Sequence, residues 1–244
     1  MLDLTFLGET FVTLIGGIPL TLQLTALSVV SGGVLAFVLA LMRSSRNPFL
    51  DVPARFYIFA FRGTPLLVQI FIIYYGLSQF PALRQSVLWP FLREAYWCAA
   101  IALALNTAAY SAEVIRGGLN AVPAGQIEAA RSFGMTRALA FRRIIMPLAL
   151  RQMLPAYSNE IILMVKATAL ASTITLMEIT GIAAKLISQS YRPVEVFVCA
   201  GAIYLALNFV IARIFSKLQY ALTPEKREAP ATASGNRIEE ARHV

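Results

Sequence analysis

The sequence predicts an all-α protein that crosses a membrane five times. Three observations predict it. Of the 244 residues, 58% are apolar and only 14% are charged, with a mean hydropathy of +0.67; soluble domains run to about 45–50% apolar and about 25% charged. The apolar residues gather in runs long enough for a bilayer, which takes about 20 residues of helix. The lysines and arginines gather in alternate loops, the asymmetry that sets membrane orientation.

Residues 11–42 carry no charge and exceed the length of one span. Gly16-Gly17 and Pro19 separate an interfacial lead-in from the span proper at 20–41. The second span is expected over 56–77 and the third over 95–115. The fourth rises after Pro147, over 150–170. A mixed stretch at 173–191 reads as re-entrant or periplasmic, and the fifth span covers 194–215. The domain thus occupies 1–223. From Pro224 onward the chain is polar and poor in apolar residues, and 224–244 is expected to be a disordered cytoplasmic tail.

Arg43, Arg46 and Arg55 crowd the first loop, and Arg116, Arg131, Arg137, Arg142, Arg143 and Arg151 the third. Arg213, Lys217, Lys226 and Arg227 follow the last span. The second loop has only Arg84 and Arg93, and in the last one Glu178 and Glu195 offset Lys185 and Arg192. The odd loops and the C-terminus are therefore expected in the cytoplasm, with the N-terminus outside.

The net charge of +8 would suggest nucleic acid in a soluble chain. Here the arginines lie between apolar runs and serve topology, so no nucleic-acid partner is expected. Cys98 and Cys199 sit in apolar segments and read as small buried hydrophobes. The N-terminus begins acidic, with Asp3 and Glu9, and shows no basic signal-peptide region. No inverted repeat of the secondary-transporter kind is visible. There is no G-x-x-x-x-G-K-[S/T], so any ATP that drives the protein must be bound, with its magnesium, by a separate chain. No cofactor is expected in this one.

Residues 126–147 are polar and basic between long apolar runs. Glu128-Ala129-Ala130 begins a short helix over 126–133, Gly134 supplies a φ > 0 turn, and a second helix follows with Arg137 near its start. Such a segment, on the cytoplasmic side, suits docking onto another protein.

Ionisable and amide side chains within spans are functional candidates by default. Asn106, Tyr110 and Glu113 recur at i, i+4 and i+7, one face of the third span. Glu160 falls near mid-membrane in the fourth and Lys166 closer to the outside, rotated away from it. A Glu and a Lys facing one cavity would suit a zwitterionic or multi-carboxylate ligand; each can equally serve packing or reach for an interface. In the second span Arg62-Gly63-Thr64-Pro65 interrupts the helix, and such breaks either expose backbone to a cavity or form a packing kink. Proton relay through Glu113, Glu160 and Lys166 in a gradient-driven transporter or channel is the alternative function. An intramembrane enzyme built on Ser158 or Ser172 is disfavoured, because no nucleophile–base pair can be assembled from these spacings, and His243 stands alone.

Glu128-Ala129-Ala130, three residues, Gly134, nine residues and Ile144-Ile145-Met146-Pro147 resemble the EAA loop of ABC-importer permeases, with Met146 where leucine is usual. Phe61 to Pro65, Asn106 to Tyr110 with Glu113, Arg116-Gly117-Gly118 and Val122-Pro123 resemble the polar-amino-acid branch of that family. Leu154 to Glu160 resembles its histidine and arginine members. Met164 to Thr168 and Thr175 to Lys185 resemble the M-type subunits of octopine and nopaline importers, while histidine M subunits carry His at the position of Lys166. The resemblance implies a type I ABC-importer transmembrane domain in a bacterial inner membrane. It implies a similar Q-type permease as partner, an ATPase dimer on the EAA loops at Glu128, Ala129, Ala130, Gly134 and Arg137, and a periplasmic solute-binding protein above. It implies a basic amino acid or opine as cargo, with Asn106, Tyr110, Glu113, Glu160 and Lys166 facing the cavity.

Overall fold

The computed structural model describes residues 4–45 and 47–222. Arg46 and the expected tail at 224–244 lie outside the described residues. Helix α1 (Leu4–Ile15) turns at Gly16-Gly17 into α2 (Ile18–Ser44), which has Pro19 in its first turn. Gly17 is required there by contact: a Cβ would stand 2.5 Å from the Ile179 amide nitrogen.

Along α2, Ser28, Gly32, Ala36 and Ala40 recur every fourth residue and are all buried. They pack on α7 (Ala95–Asn120). A Cβ on Gly32 would lie 2.7 Å from the Ala104 carbonyl oxygen, so the two backbones touch. Small residues bring helices this close in lipid, where there is no hydrophobic force between them.

Helix α3 (Pro48–Gly63) starts on Asn47, whose side chain accepts from the Phe49 amide at 3.0 Å. It stops at Pro65, which lacks an N–H and drives Thr64 into extended backbone, ψ 144°. The chain resumes in α4 (Leu66–Phe71), a π turn at Ile72–Gly76 and a 3₁₀ turn at Leu77–Gln79. The two halves meet at 105°. The span expected over 56–77 is therefore two helices joined at a corner. Short α5 (Pro81–Arg84) and α6 (Trp89–Leu92) lead to α7, which continues past residue 115 to Asn120.

Helix α8 (Ala124–Ser132) ends on Gly134 at φ 72°, with the Met135 amide donating to the Ala130 carbonyl at 3.1 Å. That bond and the left-handed glycine close the helix C-terminus. Thr136 caps α9 (Arg137–Ala140), its hydroxyl accepting from the Leu139 amide. The second helix of the 126–147 segment is not a separate element. It passes through a π turn at Phe141–Ile145 into α10 (Met146–Ala167) and a 3₁₀ turn at Thr168–Ile174. Pro147 has no N–H to offer the Arg143 carbonyl, which accounts for the loosened register before it.

Helix α11 (Ile179–Ser190) is bent 49° from the 137–174 rod, so the mixed stretch at 173–191 holds a helix of its own. Helix α12 (Pro193–Leu222) completes the fold. Among the described residues, three helices are each long and apolar enough to cross a membrane; taking each bent pair as one span brings the number to five. One buried cluster, with Leu24, Ile70, Leu103 and Met164, joins α2, α4, α7 and α10; another, with Leu14, Ile179, Val196 and Ile203, joins α1, α11 and α12. Large apolar side chains such as Phe56, Leu205 and Phe209 point outward, as a lipid-facing surface requires.

Candidate functional site

The corner between α3 and α4 strips backbone carbonyls of their helical partners, and at membrane depth each unpaired carbonyl would cost several kcal/mol. Side chains fill the gap. The Thr64 hydroxyl donates to the Ala60 carbonyl at 2.8 Å. The Gln69 amide, 7% exposed, donates to the Phe61 carbonyl at 2.8 Å and to the Thr64 carbonyl and hydroxyl at 3.1 and 2.8 Å. From α7, Asn106 Nδ2 donates to Gln69 Oε1 at 3.0 Å. The Tyr57 hydroxyl donates to the Leu105 carbonyl at 2.8 Å and ties α3 to the same stretch of α7. Gln69 went unnoticed in the sequence; its signal was an amide four residues after Pro65 in an otherwise apolar run.

Against this corner lies a pocket of about 480 Å³ lined by Arg62, Pro65, Asn106, Tyr110, Glu160 and Leu163, among others. Gly63 and Thr64 also border it. The Arg62 guanidinium stands over the Tyr110 ring, 5.2 Å from its centroid. Among the described residues Arg62 has no ion pair, and Glu160 has neither a hydrogen bond nor an ion pair, although each lies within electrostatic reach of the other. The pocket thus brings together Asn106, Tyr110 and Glu160 with the Arg62–Pro65 break.

Two expected residues lie elsewhere. Lys166 is exposed and does not line the pocket, because a six-residue step turns a helix by about 240° from Glu160. Glu113 already has its guanidiniums within the chain. It accepts from Arg116 Nε and Nη2 at 2.9 and 2.6 Å and from Arg43 Nε at 3.5 Å. Arg43 also pairs with Asp51, which in turn accepts from Arg55 Nε at 2.7 Å. This cluster clamps the end of α2, the start of α3 and the last turns of α7. It borders a second pocket, of about 490 Å³.

In the 126–147 segment Glu128, Ala129, Gly134 and Arg137 are exposed, while Ala130 is buried. Phe133 is 85% exposed. The helix therefore presents Glu128 and Arg131 outward, with Phe133 just past its end, and anchors itself by Ala130.

The loop-charge pattern predicts Glu178 as an exposed charge offsetting Lys185 and Arg192. It is instead fully buried, at 0% exposure. It caps α11 by accepting from the Thr180 and Gly181 amides at 3.0 and 2.8 Å, and it accepts from the Tyr204 hydroxyl on α12 at 2.7 Å. The detectable signal was an acidic residue just before an apolar helical run, a helix-start pattern.

Residues 32–222 match the family described as the binding-protein-dependent transport system inner membrane component. The chain belongs to this family. The permease is 73% identical over 226 residues to the octopine transport system permease protein OccM of Rhizobium meliloti, with 93% of this chain and 92% of that one covered. It is 49% identical over 227 residues to the nopaline transport system permease protein NocM of Agrobacterium fabrum (strain C58 / ATCC 33970), covering 93% and 94%. Its fold matches a solved amino acid ABC transporter with histidines at a TM-score of 0.80 and 37% identity, covering 91% of this chain and 99% of the other. The membership agrees with the resemblance seen in the motifs, and it makes the permease an inner-membrane protein.

Proposed function

We propose that this permease is a membrane-spanning subunit of an ATP-driven importer whose cargo is an opine such as octopine or nopaline, or a basic amino acid such as arginine, histidine or lysine. One observation carries the reading of the site: a carboxylate and a guanidinium, Glu160 and Arg62, border one pocket, and among the described residues neither has an ion-pair partner. Glu160 is half-buried and Arg62 is open to the pocket, and a charge facing a cavity within the membrane is stabilised by a counter-charge. A cargo with a cationic end and a carboxylate supplies one to each, in charge-assisted hydrogen bonds. The names of the relatives OccM and NocM agree with such a cargo. Asn106 then serves through Gln69 by holding the corner in shape, Tyr110 by holding Arg62, and Glu113 by clamping helix ends.

The remaining parts follow from the family reading. A dimer of ATP-binding subunits, holding ATP and magnesium, docks on the 126–147 segment. A homologous Q-type permease completes the pathway, and a periplasmic solute-binding protein delivers cargo. The N-terminus faces the periplasm and the C-terminus the cytoplasm. Residues 137–174 form one helical rod with the foot at one end and Glu160 further along. Displacement of the foot by the ATPase moves Glu160 relative to Arg62 on α3, which opens or closes the pocket between them.

The test is octopine uptake by the full importer in proteoliposomes with ATP enclosed. Loss of a charged hydrogen bond is worth about 1.5–3 kcal/mol. Glu160→Gln and Arg62→Gln should each raise KM by about tenfold or more. Unchanged uptake in both variants would remove the pocket from the cargo path.

A further inference from the structure

We propose that the charged pocket beside the first is a second binding station, one that takes the carboxylate end of an amino-acid cargo, with Arg62 shared between the two. The inference rests on the cargo reading of the pocket at the α3–α4 corner.

The two pockets are contiguous: Arg62, Gly63 and Tyr110 border both. They differ in charge. The first has Glu160 facing Arg62. The second has Arg43, Arg55 and Arg62 facing only Glu113. Glu113 is already claimed by Arg116 and Arg43, and Asp51 by Arg43 and Arg55. Four guanidiniums thus meet two carboxylates, and the excess is positive. The Tyr110 ring holds Arg62 in place without neutralising it, so its charge stays available to whatever occupies either pocket.

The second pocket lies along α3 between the corner and the turn joining α2 to α3, where Arg43 and Asp51 sit. In the proposed orientation that is the cytoplasmic direction. A cargo leaving Glu160 therefore meets a region of opposite charge on its way in. Its carboxylate stays on Arg62 while its cationic end lets go of Glu160, and it then passes toward Arg55. The positive field attracts carboxylates and turns away cations that lack one.

Single thiols placed in each pocket test this. Phe59 borders the second pocket and not the first, and Leu163 the first and not the second. Cys98 and Cys199 are buried, so with cysteine-free partner chains an introduced thiol is the accessible one. Phe59→Cys and Leu163→Cys importers, complete with ATPase and partner permease in nanodiscs, are labelled with a methanethiosulfonate reagent. The competitors are arginine and agmatine, its analogue without a carboxylate. Arginine is expected to slow labelling severalfold at both positions, and agmatine to leave Phe59→Cys labelling unchanged. Adding Arg55→Gln, which leaves the Arg43–Asp51 pair in place, should abolish protection at Phe59→Cys and preserve it at Leu163→Cys. Protection confined to Leu163→Cys would overturn the second station while the cargo reading stands. Equal protection of Phe59→Cys by arginine and agmatine would overturn its carboxylate selectivity. No protection at either position would overturn the cargo reading and the second station with it.

Discussion

Gln69 answers two demands with one amide group. Its NH₂ satisfies the carbonyls that Pro65 leaves exposed, and its oxygen accepts from Asn106 on the neighbouring helix. Removing it orphans the Phe61 carbonyl, and an unsatisfied buried group costs about 1–3 kcal/mol. Gln69→Leu should therefore lower the Tm of the purified importer and reduce uptake. Asn106→Ala should do the same to a smaller degree, and the double variant should fall short of the sum, because the two side chains form one unit. A strictly additive pair, measured by melting and by uptake, would indicate that Asn106 acts apart from Gln69, for example on cargo directly. Lys166 lies off the pocket, so Lys166→Ala should leave the KM for octopine within about twofold of the parent, the scale of ordinary surface substitutions. A larger rise would return it to the cargo path.

At the scale of elements, the proposed foot sets a left-handed turn at Gly134 just ahead of the helical rod at 137–174. Gly134 has φ 72° with open space around it, so conformation alone demands glycine there. A left-handed alanine is strained by about 1–2 kcal/mol. Gly134→Ala should insert normally yet lower ATP-driven uptake severalfold, and Glu128→Lys, on the exposed face of α8, should do so more severely. Each is scored by uptake together with co-purification of the ATPase; full activity in both would remove the coupling role. In this element the end of the first helix was legible, since a glycine stands two residues past it; its start was not, because α8 begins at Ala124 and Glu-Ala-Ala lies in its middle. Nor was the far end of the element: Pro147 looked like a boundary, and the chain instead carries the helix through it by a local π turn. The corner at Pro65 was legible as a break, whereas its 105° angle was not, because a proline determines which hydrogen bond is lost and not where the following helix finds its packing partner.

At the scale of the whole molecule, the five proposed crossings would set the termini on opposite sides of the membrane. The loop arginines predict a periplasmic N-terminus. Alkaline phosphatase fused near residue 4 should be active and green fluorescent protein fused after residue 222 should fluoresce; the reverse pattern would move the foot to the wrong side for an ATPase and end the coupling proposal.

The sequence alone determined that this chain lives in lipid, where its apolar runs lie, and that a glycine-hinged foot joins two of them. Those properties depend on local spacing: hydrophobic length, loop charge and turn chemistry are written residue by residue. It also marked Glu160 and the Arg62–Pro65 break as unusual, because a charge or a proline within an apolar run stands out without any neighbour. Only the tertiary structure decided which polar residues face one another. Glu113 was set against Arg43 and Arg116, Gln69 joined to Asn106, Lys166 turned outward, and Glu178 buried against Tyr204. Each depends on helix rotation and on contacts between segments far apart in the chain. In a bundle held together by small residues and hydrogen bonds, those rotations are set by close packing such as that of Gly32 on Ala104, which no single helix encodes.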